Sequence, residues 1–147
     1  MTKRRCAIFD MDGTLADVSG IRHHVKVRPK NFNAFHGASV DCPPHHDVVA
    51  LARDFHDNDI DVVIVTARRH RWRHHTAWFL AIHDVPSVAM FMRHNDDERS
   101  DVEVKRDILA KIRETWEPVA AVDDRPEVVA LWISEGIPTH VVPGWED

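Results

Sequence analysis

Two aspartates stand two positions apart at the end of the first apolar run of the sequence. Residues 8–17 read IFDMDGTLAD, so Asp10 and Asp12 follow that run and Gly13 comes directly after them. Acidic residues are depleted from strands. At a strand end, two carboxylates can instead hold a cation, attack an electrophile or transfer a proton. Gly13 would allow the sharp turn that swings one side chain away from the other.

Polar side chains also follow two later apolar runs. Thr66 and Arg68 come after VVIV, and Asp123 and Asp124 come after VAAV. The carboxyl ends of parallel strands meet at one edge of a sheet, where ligands of open α/β folds bind. Carboxylates that converge there repel one another unless a cation joins them, and an oxygen-rich site suits Mg²⁺. The sequence therefore predicts a magnesium site built from aspartates that are distant along the chain.

The spacing of the first two aspartates predicts a different catalytic role for each of them. We expect Asp10 to attack phosphorus, and Asp12 to give a proton to the leaving oxygen and later take one from water. A carboxyl group that delivers a proton near neutral pH is kept protonated by neighbouring negative charge. Because a bond to Mg²⁺ opposes this, Asp12 should contact the metal through its backbone carbonyl.

The elements that position these residues alternate between strand and helix. Apolar runs predict strands at residues 5–10, 61–66, 87–92, 119–123 and 139–142. Helical patterns predict helices at residues 46–58, 71–82, 102–115 and 126–135. Strands that are apolar throughout are typical of sheets covered on both faces. The alternation predicts one α/β domain over residues 1–147 with a mainly parallel sheet.

Residues 18–45 do not fit this alternation. They lack a long periodic run, and they contain Pro29, Gly37, Pro43 and Pro44. We therefore expect an irregular insertion after the first strand, a small flap rather than a separate cap domain.

The composition of the 147 residues, 44% hydrophobic and 29% charged, is that of a soluble globular domain. No run approaches the roughly 18 apolar residues of a membrane-spanning helix, and nothing resembles a secretory leader, which predicts a cytoplasmic protein without a membrane partner. Cys6 and Cys42 are the only cysteines, too few for a disulfide framework, and we expect both to be reduced.

The net charge of −5 argues against a protein that coats nucleic acid through overall basicity. Two stretches, residues 21–30 and 66–75, nevertheless hold four Lys or Arg side chains each and no acidic residue. Such stretches could draw an anionic substrate to part of the surface, or they could be ordinary solvated loops and helix faces.

Four segments resemble, in order, the four motifs of the haloacid dehalogenase superfamily of phosphotransferases. They are DMDGTLAD, the strand VVIVT, the helix that carries Lys105, and VDDRPE. The resemblance implies a Rossmann-like three-layer core with a minimal cap. It also implies an aspartyl-phosphate intermediate on Asp10, with Asp12 as general acid and base, Thr66 binding phosphate and Lys105 neutralising charge. The metal would be Mg²⁺, held by Asp10, the Asp12 carbonyl, Asp123 and Asp124.

Within that superfamily, the sequence is similar to the 3′-phosphatase domains of bacteriophage polynucleotide kinases. The similarity is carried by VAAVDDRPEVVALWISEGIPTHVV, by Thr66-Ala67-Arg68 and by SDVEVKRDIL. It implies that Arg68 contacts the phosphate and that Asp101, four positions before Lys105 and so on one helix face with it, belongs to the substrate site. Gly13 would lie beside the substrate, and Arg22 is the counterpart of an arginine in the insertion.

The implied activity is a Mg²⁺-dependent phosphomonoesterase that removes 3′-phosphates from DNA or RNA ends and from nucleotides. A general small-molecule phosphatase or nucleotidase would share the chemistry, and a non-catalytic module that binds nucleic-acid ends would share only the fold. No GxxxxGK[ST] phosphate-binding loop occurs, so we expect no kinase activity. The sequence indicates no particular protein partner.

Several residues also have plain structural interpretations. Asp124 could cap the helix that begins at Pro126, and Lys105 could be a solvated lysine on an exposed helix face. The histidine pairs lack a carboxylate or cysteine at a recognised ligand spacing, which favours polar surface over a transition-metal site. Helical patterns predict packing roles for four tryptophans, Trp72, Trp78, Trp116 and Trp132. One of them, Trp72 before the others, could instead stack on a nucleobase.

Overall fold

The computed structural model describes residues 2–21 and 41–145. In these ranges the strands are β1 (Arg4–Phe9), β2 (Asp61–Arg69), β3 (Ala89–Arg93), β4 (Trp116–Asp123) and β5 (Thr139–Val141). The helices are α1 (His46–Asp57), α2 (Arg73–Ile82), α3 (Asp101–Ile112) and α4 (Pro126–Ser134), and a 3₁₀ turn, His70–Trp72, precedes α2.

The strands form one sheet in the order β3-β2-β1-β4-β5. Every neighbouring pair is parallel, which confirms the predicted α/β class. The chain builds outward from β1 through β2 to β3 and then returns to the other side of β1 for β4 and β5. The order therefore reverses at β1, and the crevice beyond the carboxyl end of β1 is the place where such sheets bind ligands.

Helices cover both faces of the sheet. On one face, Ala7 and Phe9 of β1 belong to a core cluster that includes residues of α1 and α2. On the other face, Cys6 and Ile8 belong to a second cluster with residues of α3 and α4. Consecutive residues of a strand point to opposite faces, so a strand buried on both sides must be apolar throughout. This three-layer arrangement is the predicted Rossmann-like core.

Local signals in the sequence fix two of the helix starts. Helix α3 begins with a capping box, in which the Ser100 hydroxyl accepts from the Glu103 backbone N–H and the Glu103 carboxylate accepts from the Ser100 N–H. Helix α4 begins with Pro126 in its first turn, where a missing N–H costs nothing. None of the described helices is long and apolar enough to cross a membrane.

Besides small shifts of element bounds, the structure differs from the prediction in two strands and in the packing of one tryptophan. Strand β2 continues past Thr66 to Arg69, with a register irregularity against β3 between Val65 and Arg69. Strand β4 begins at Trp116, so the helical placement of that tryptophan was wrong. Trp78 lies on α2 as predicted, but 60% of it is exposed and it does not pack in the core.

The chain segments before and after residues 22–40 are hydrogen-bonded to each other, and we call this pair of segments the neck of the predicted insertion. Asp17 donates its backbone N–H to Pro43, and His45 donates to Leu15, at 2.8 and 2.9 Å. The neck therefore lies directly after the loop that carries the first aspartates. Most of the predicted flap, residues 22–40, lies outside the described residues, and so does Arg22.

Candidate active site

A tight loop follows β1 and carries both aspartates of the first pair. The backbone N–H of Asp10 still donates to Val122 of β4 at 3.1 Å, so Asp10 ends the strand. The loop then closes through hydrogen bonds from Thr14 and Ala16 to the Met11 carbonyl. Gly13 has a φ of 82°, a conformation that residues with a side chain rarely adopt. The sharp turn predicted at this glycine is confirmed.

Three buried aspartates converge at the carboxyl edge of the sheet. Asp10, Asp123 and Asp124 each offer a carboxylate oxygen, and these oxygens lie within 4.8 Å of one another. No other group of three or more potential metal ligands occurs among residues 2–21 and 41–145. The side chain of Asp12 is not part of this cluster. Contact of its backbone carbonyl with a metal stays a prediction.

Lys105 reaches into the cluster from the buried face of α3. Its ammonium donates to Asp10 Oδ1 at 2.9 Å and to Asp123 Oδ2 at 3.1 Å. Only 2% of the lysine is exposed, so it is not the solvated surface lysine that the sequence left open. The ammonium therefore joins the strand end of β1 to that of β4.

Burial and charge act in opposite directions on this group of residues. Burial, together with the negative charges of Asp123 and Asp124, raises the pKa of Asp10 well above its ordinary value, and Lys105 opposes the shift. Burial would lower the pKa of Lys105, but Asp10 and Asp123 outweigh it and the pKa is raised. Lys105 is therefore charged at neutral pH and stabilises the ionised form of Asp10.

Asp12 faces a buried arginine instead of the other aspartates. Arg68 donates from Nε to Asp12 Oδ2 at 3.0 Å and from Nη2 to Asp12 Oδ1 at 2.5 Å. Its third nitrogen, Nη1, donates to the Thr76 hydroxyl of α2 at 2.9 Å. This bidentate ion pair fixes the Asp12 carboxylate in direction. The acidic neighbours that we expected around Asp12 surround Asp10 instead.

The same arrangement places Thr66 and Arg68 next to each other. The Thr66 hydroxyl accepts from the Arg68 backbone N–H at 3.2 Å, and 1% of Thr66 is exposed. Burial would lower the pKa of Arg68, but the charge and hydrogen bonds of Asp12 outweigh it, so the pKa is raised. Three of the five N–H donors of the guanidinium are engaged with described residues.

Each aspartate of the second pair is held by several donors. Asp123 Oδ1 accepts from the backbone N–H groups of Asp124 and Arg125, and Oδ2 accepts from the Trp132 indole at 3.2 Å. Asp124 Oδ1 accepts from the Thr14 hydroxyl at 3.0 Å. The N-cap of α4 is Arg125, without a side-chain capping bond, so Asp124 is not the cap of this helix.

The donor set fits a divalent cation. Its oxygens are all carboxylate, which is the ligand type that Mg²⁺ prefers in proteins. With all three carboxylates ionised, the cluster and the Lys105 ammonium would have two negative charges in excess, which one divalent ion would balance. The buried acidic cluster is therefore able to hold a metal.

Asp101 lies near the site but contacts arginines. Its carboxylate accepts from Arg93 and from Arg125, both at 2.7 Å. It begins α3 one turn before Lys105, on the same side of the helix, as the spacing predicts. A direct contact between Asp101 and substrate, like the assignments of Gly13 and Arg22, stays a prediction.

A family model described as the polynucleotide kinase PNKP phosphatase domain matches residues 4–144. The chain belongs to this family. It is thus a phosphatase domain of the haloacid dehalogenase type, within a family of phosphoric monoester hydrolases. No match was found among curated proteins.

Solved structures agree with this PNKP phosphatase fold. A chain of the Pnkp1/Rnl/Hen1 complex is 23% identical over 100% of this chain, with a TM-score of 0.85. A chain of the Pnkp1/Rnl/Hen1 RNA repair complex is 24% identical over 96% of it, with a TM-score of 0.83. The chain spans 48% and 43% of the length of those two chains. The class C acid phosphatase from Bacillus anthracis with tungstate bound is 12% identical over 97% of this chain and 68% of its own, with a TM-score of 0.68.

Sequence reasoning missed four polar partners in this PNKP phosphatase domain. The Thr14 hydroxyl lies 3.3 Å from Asp10 Oδ2 and 3.0 Å from Asp124 Oδ1. Its position directly after Gly13 could have indicated that it belongs to the site. Trp132 was assigned to packing alone, whereas its indole also contacts Asp123. Thr76 and Trp145 carried no signal, because their contacts depend on how a helix and the C-terminal segment fold back over the sheet.

Proposed function

We propose that the chain is a Mg²⁺-dependent phosphomonoesterase that removes 3′-phosphates from polynucleotide ends and nucleotides through an aspartyl-phosphate on Asp10. The observation that carries the proposal is the convergence of Asp10, Asp123 and Asp124 around Lys105 at the point where the strand order reverses. A binding module would have no need to bury three mutually repelling carboxylates, which cost stability unless they are paired.

Asp10 is the nucleophile in this mechanism. Lys105 holds Oδ1 at 2.9 Å, whereas Oδ2 has the longer contact, 3.3 Å to Thr14, and is the oxygen that attacks phosphorus. As the new O–P bond forms, the bond from phosphorus to the 3′-oxygen breaks and Lys105 stabilises the charge that develops. Mg²⁺, held by Asp10, Asp123, Asp124 and the Asp12 carbonyl, supplies further charge stabilisation when bound.

Asp12 moves the proton. It protonates the departing 3′-oxygen, then takes a proton from water as the water attacks the phosphoaspartate, which releases phosphate and restores Asp10. Arg68 is paired with Asp12 before substrate binds. A substrate phosphate accepts hydrogen bonds from Arg68 and Thr66, and it thus competes with Asp12 for the arginine. Substrate binding therefore weakens the Arg68–Asp12 ion pair before Asp12 donates its proton.

The surface beside the crevice supports a polynucleotide substrate. Arg71 and Arg73 follow Arg68 closely, both are exposed, and neither forms an ion pair within the described part of the chain. The first turn of α2 contains no acidic residue. Cations at a helix N-terminus destabilise the helix, so helix stability does not explain them. Contacts from these arginines would be to phosphates, which predicts little base specificity.

Phosphate release from a panel of substrates tests the proposal. The panel holds oligonucleotide 3′-phosphates and 5′-phosphates, nucleoside 3′-monophosphates and simple sugar phosphates, each with Mg²⁺ and with EDTA. We expect 3′-ends to be preferred, EDTA to abolish release, and Asp10→Asn to lower the rate by about 10⁴-fold or more, as removal of a nucleophile does. Asp57→Asn, an exposed aspartate at the end of α1, is the matched control.

Three results would contradict this function. Equal turnover of sugar phosphates and oligonucleotide ends would indicate a general small-molecule phosphatase or nucleotidase. Oligonucleotide binding without release from any substrate would indicate a binding module. An Asp10→Asn protein as active as Asp57→Asn would exclude the aspartyl-phosphate.

A further inference from the structure

The segment after β5 folds back onto the acidic cluster. This C-terminal strap, residues 142–145, is anchored by Val142, whose backbone N–H donates to the Asp123 carbonyl at 2.9 Å and of which 4% is exposed. Pro143 follows, and Gly144 has a φ of 149°, which residues with a side chain rarely adopt. These two residues set the direction in which the strap delivers Trp145.

Trp145 contacts one of the clustered carboxylates. Its indole N–H donates to Asp124 Oδ2 at 2.6 Å. The guanidinium of Arg125 lies over the ring, 5.3 Å from the centroid, and is itself held by Asp101 and Glu127. Trp145 as a whole nevertheless stays 42% exposed. Trp145 thus contacts the site through a hydrogen bond to Asp124 and a cation–π contact with Arg125.

The two neighbouring aspartates are matched by two tryptophans. Trp132 donates to Asp123 from the core, where 0% of it is exposed, and Trp145 donates to Asp124 from the surface. With Thr14 on Oδ1 and Trp145 on Oδ2, both oxygens of Asp124 accept a hydrogen bond. Outer donors of this kind fix the orientation of carboxylates that bind metals, and their loss weakens metal binding.

We propose that Trp145 is a positioning residue for divalent-cation binding, which holds the Asp124 carboxylate in its ligating orientation. This rests on the proposed function only in taking Asp124 as a metal ligand. Because coupling between two equilibria is reciprocal, cation binding also stabilises the contact between Trp145 and Asp124. Trp145 thereby links the C-terminal strap to metal loading, without itself touching phosphate.

Metal titrations without substrate test this proposal. The full chain is stripped with EDTA, and Mg²⁺ is added while melting temperature and tryptophan fluorescence are followed. Trp145→Phe keeps a ring under Arg125 but removes the N–H donor, and Trp78→Phe, on the exposed face of α2, is the matched control. We expect Trp145→Phe to raise the half-saturating Mg²⁺ concentration about tenfold. Trp78→Phe should leave that concentration unchanged.

Two further readouts separate positioning from a merely structural role. Phosphate release by Trp145→Phe should recover at high Mg²⁺, and its metal-free melting temperature should stay close to that of the wild type. A lower metal-free melting temperature with an unchanged Mg²⁺ titration would overturn the proposal. So would an unchanged titration in Trp145→Phe together with a raised KM in Trp145→Ala, which would assign the ring to substrate stacking.

The experiments distinguish failure of the proposed role of Trp145 from failure of the proposed phosphatase activity. A wild-type chain that responds to Mg²⁺ but releases phosphate from no substrate would contradict the proposed phosphatase activity. A tenfold higher half-saturating Mg²⁺ concentration in Trp145→Phe would still support the proposed role of Trp145. If the wild-type chain releases phosphate but does not respond to Mg²⁺, the proposed role of Trp145 and the proposed Mg²⁺ dependence are both overturned. The proposed role of Asp10 as nucleophile would still stand.

Discussion

Lys105 contacts two of the three clustered carboxylates and is almost completely buried. A buried charge whose partner is removed costs far more than a surface pair, because neither water nor another cation replaces the partner. The ammonium is therefore a structural counter-ion in the metal-free protein, and in the proposed mechanism it also stabilises charge on Asp10.

Replacement of Lys105 by methionine should separate these two roles. In EDTA, Lys105→Met should lower the free energy of unfolding by about 3–5 kcal/mol, because Asp10 and Asp123 lose their shared cation. Added Mg²⁺ should raise the melting temperature of the variant more than that of the wild type, since it then balances more excess negative charge. Phosphate release should fall by about 10²–10³-fold even at saturating Mg²⁺.

Lys111→Met is the matched control, since this lysine lies exposed in the last turn of the same helix. It should change neither stability in EDTA nor turnover by more than a small factor. If the two variants had the same stability in EDTA, Lys105 would not be the counter-ion of the cluster.

At the scale of the strands, Asp61 ties three of them together at the edge opposite the site. Its carboxylate accepts from Arg4 of β1 at 2.8 and 3.0 Å, and from the Trp116 indole of β4 at 2.9 Å. Asp61 itself begins β2. These bonds span the three central strands of the sheet where no functional residue lies.

Asp61→Asn should therefore destabilise the fold without changing phosphatase activity. The hydrogen bonds that the Asp61 carboxylate accepts from Arg4 and from the Trp116 indole lower the pKa of Asp61, so the unfolded chain takes up its proton at a higher pH than the folded one. The stabilisation is fully present above the ordinary carboxyl pKa of about 4 and is lost as the pH falls through the lowered folded value. For a pair this exposed to solvent it amounts to about 1 kcal/mol at most.

Urea unfolding at several pH values measures this effect. The difference in free energy of unfolding between wild type and Asp61→Asn should be constant from about pH 5 to pH 7 and should shrink below about pH 4. Asp57→Asn should show no such dependence. A difference that grew as the pH fell would contradict the assignment.

The strand–helix alternation made the layers and the polar strand ends predictable, because apolar runs and turn residues are local properties. The irregular end of β2 was not predictable, since the register shift against β3 between Val65 and Arg69 and the contact of Arg68 with Asp12 involve residues that are distant along the chain. The hydrogen-bond donors to Asp124 could not be predicted either, because Thr14 and Trp145 lie 110 and 21 positions away from it in the sequence. A contact of that kind exists only once the sheet has formed.

For the whole molecule, the distribution of charge matters more than the total. A net charge of −5 repels a polyanion at long range, so an oligonucleotide needs a local positive surface to approach the crevice. Most arginines of the described chain are tied to acids or carbonyls, such as Arg4, Arg99 and Arg113. Arg71 and Arg73 are not, and they lie directly beyond Arg68.

Arg71→Gln and Arg73→Gln should therefore raise the KM for an oligonucleotide 3′-phosphate and leave the KM for a nucleoside 3′-monophosphate unchanged, because only the longer substrate has further phosphates to contact. Each lost contact should reduce the dependence of log KM on log salt concentration by about 0.7 for a single strand. Arg106→Gln, an exposed arginine on α3, is the control and should behave like the wild type. If both substrates lost affinity equally, the arginines would act on the terminal phosphate alone. If neither did, the basic stretch would be ordinary solvated surface, and the preference for polynucleotide ends would have to come from residues nearer to Asp10.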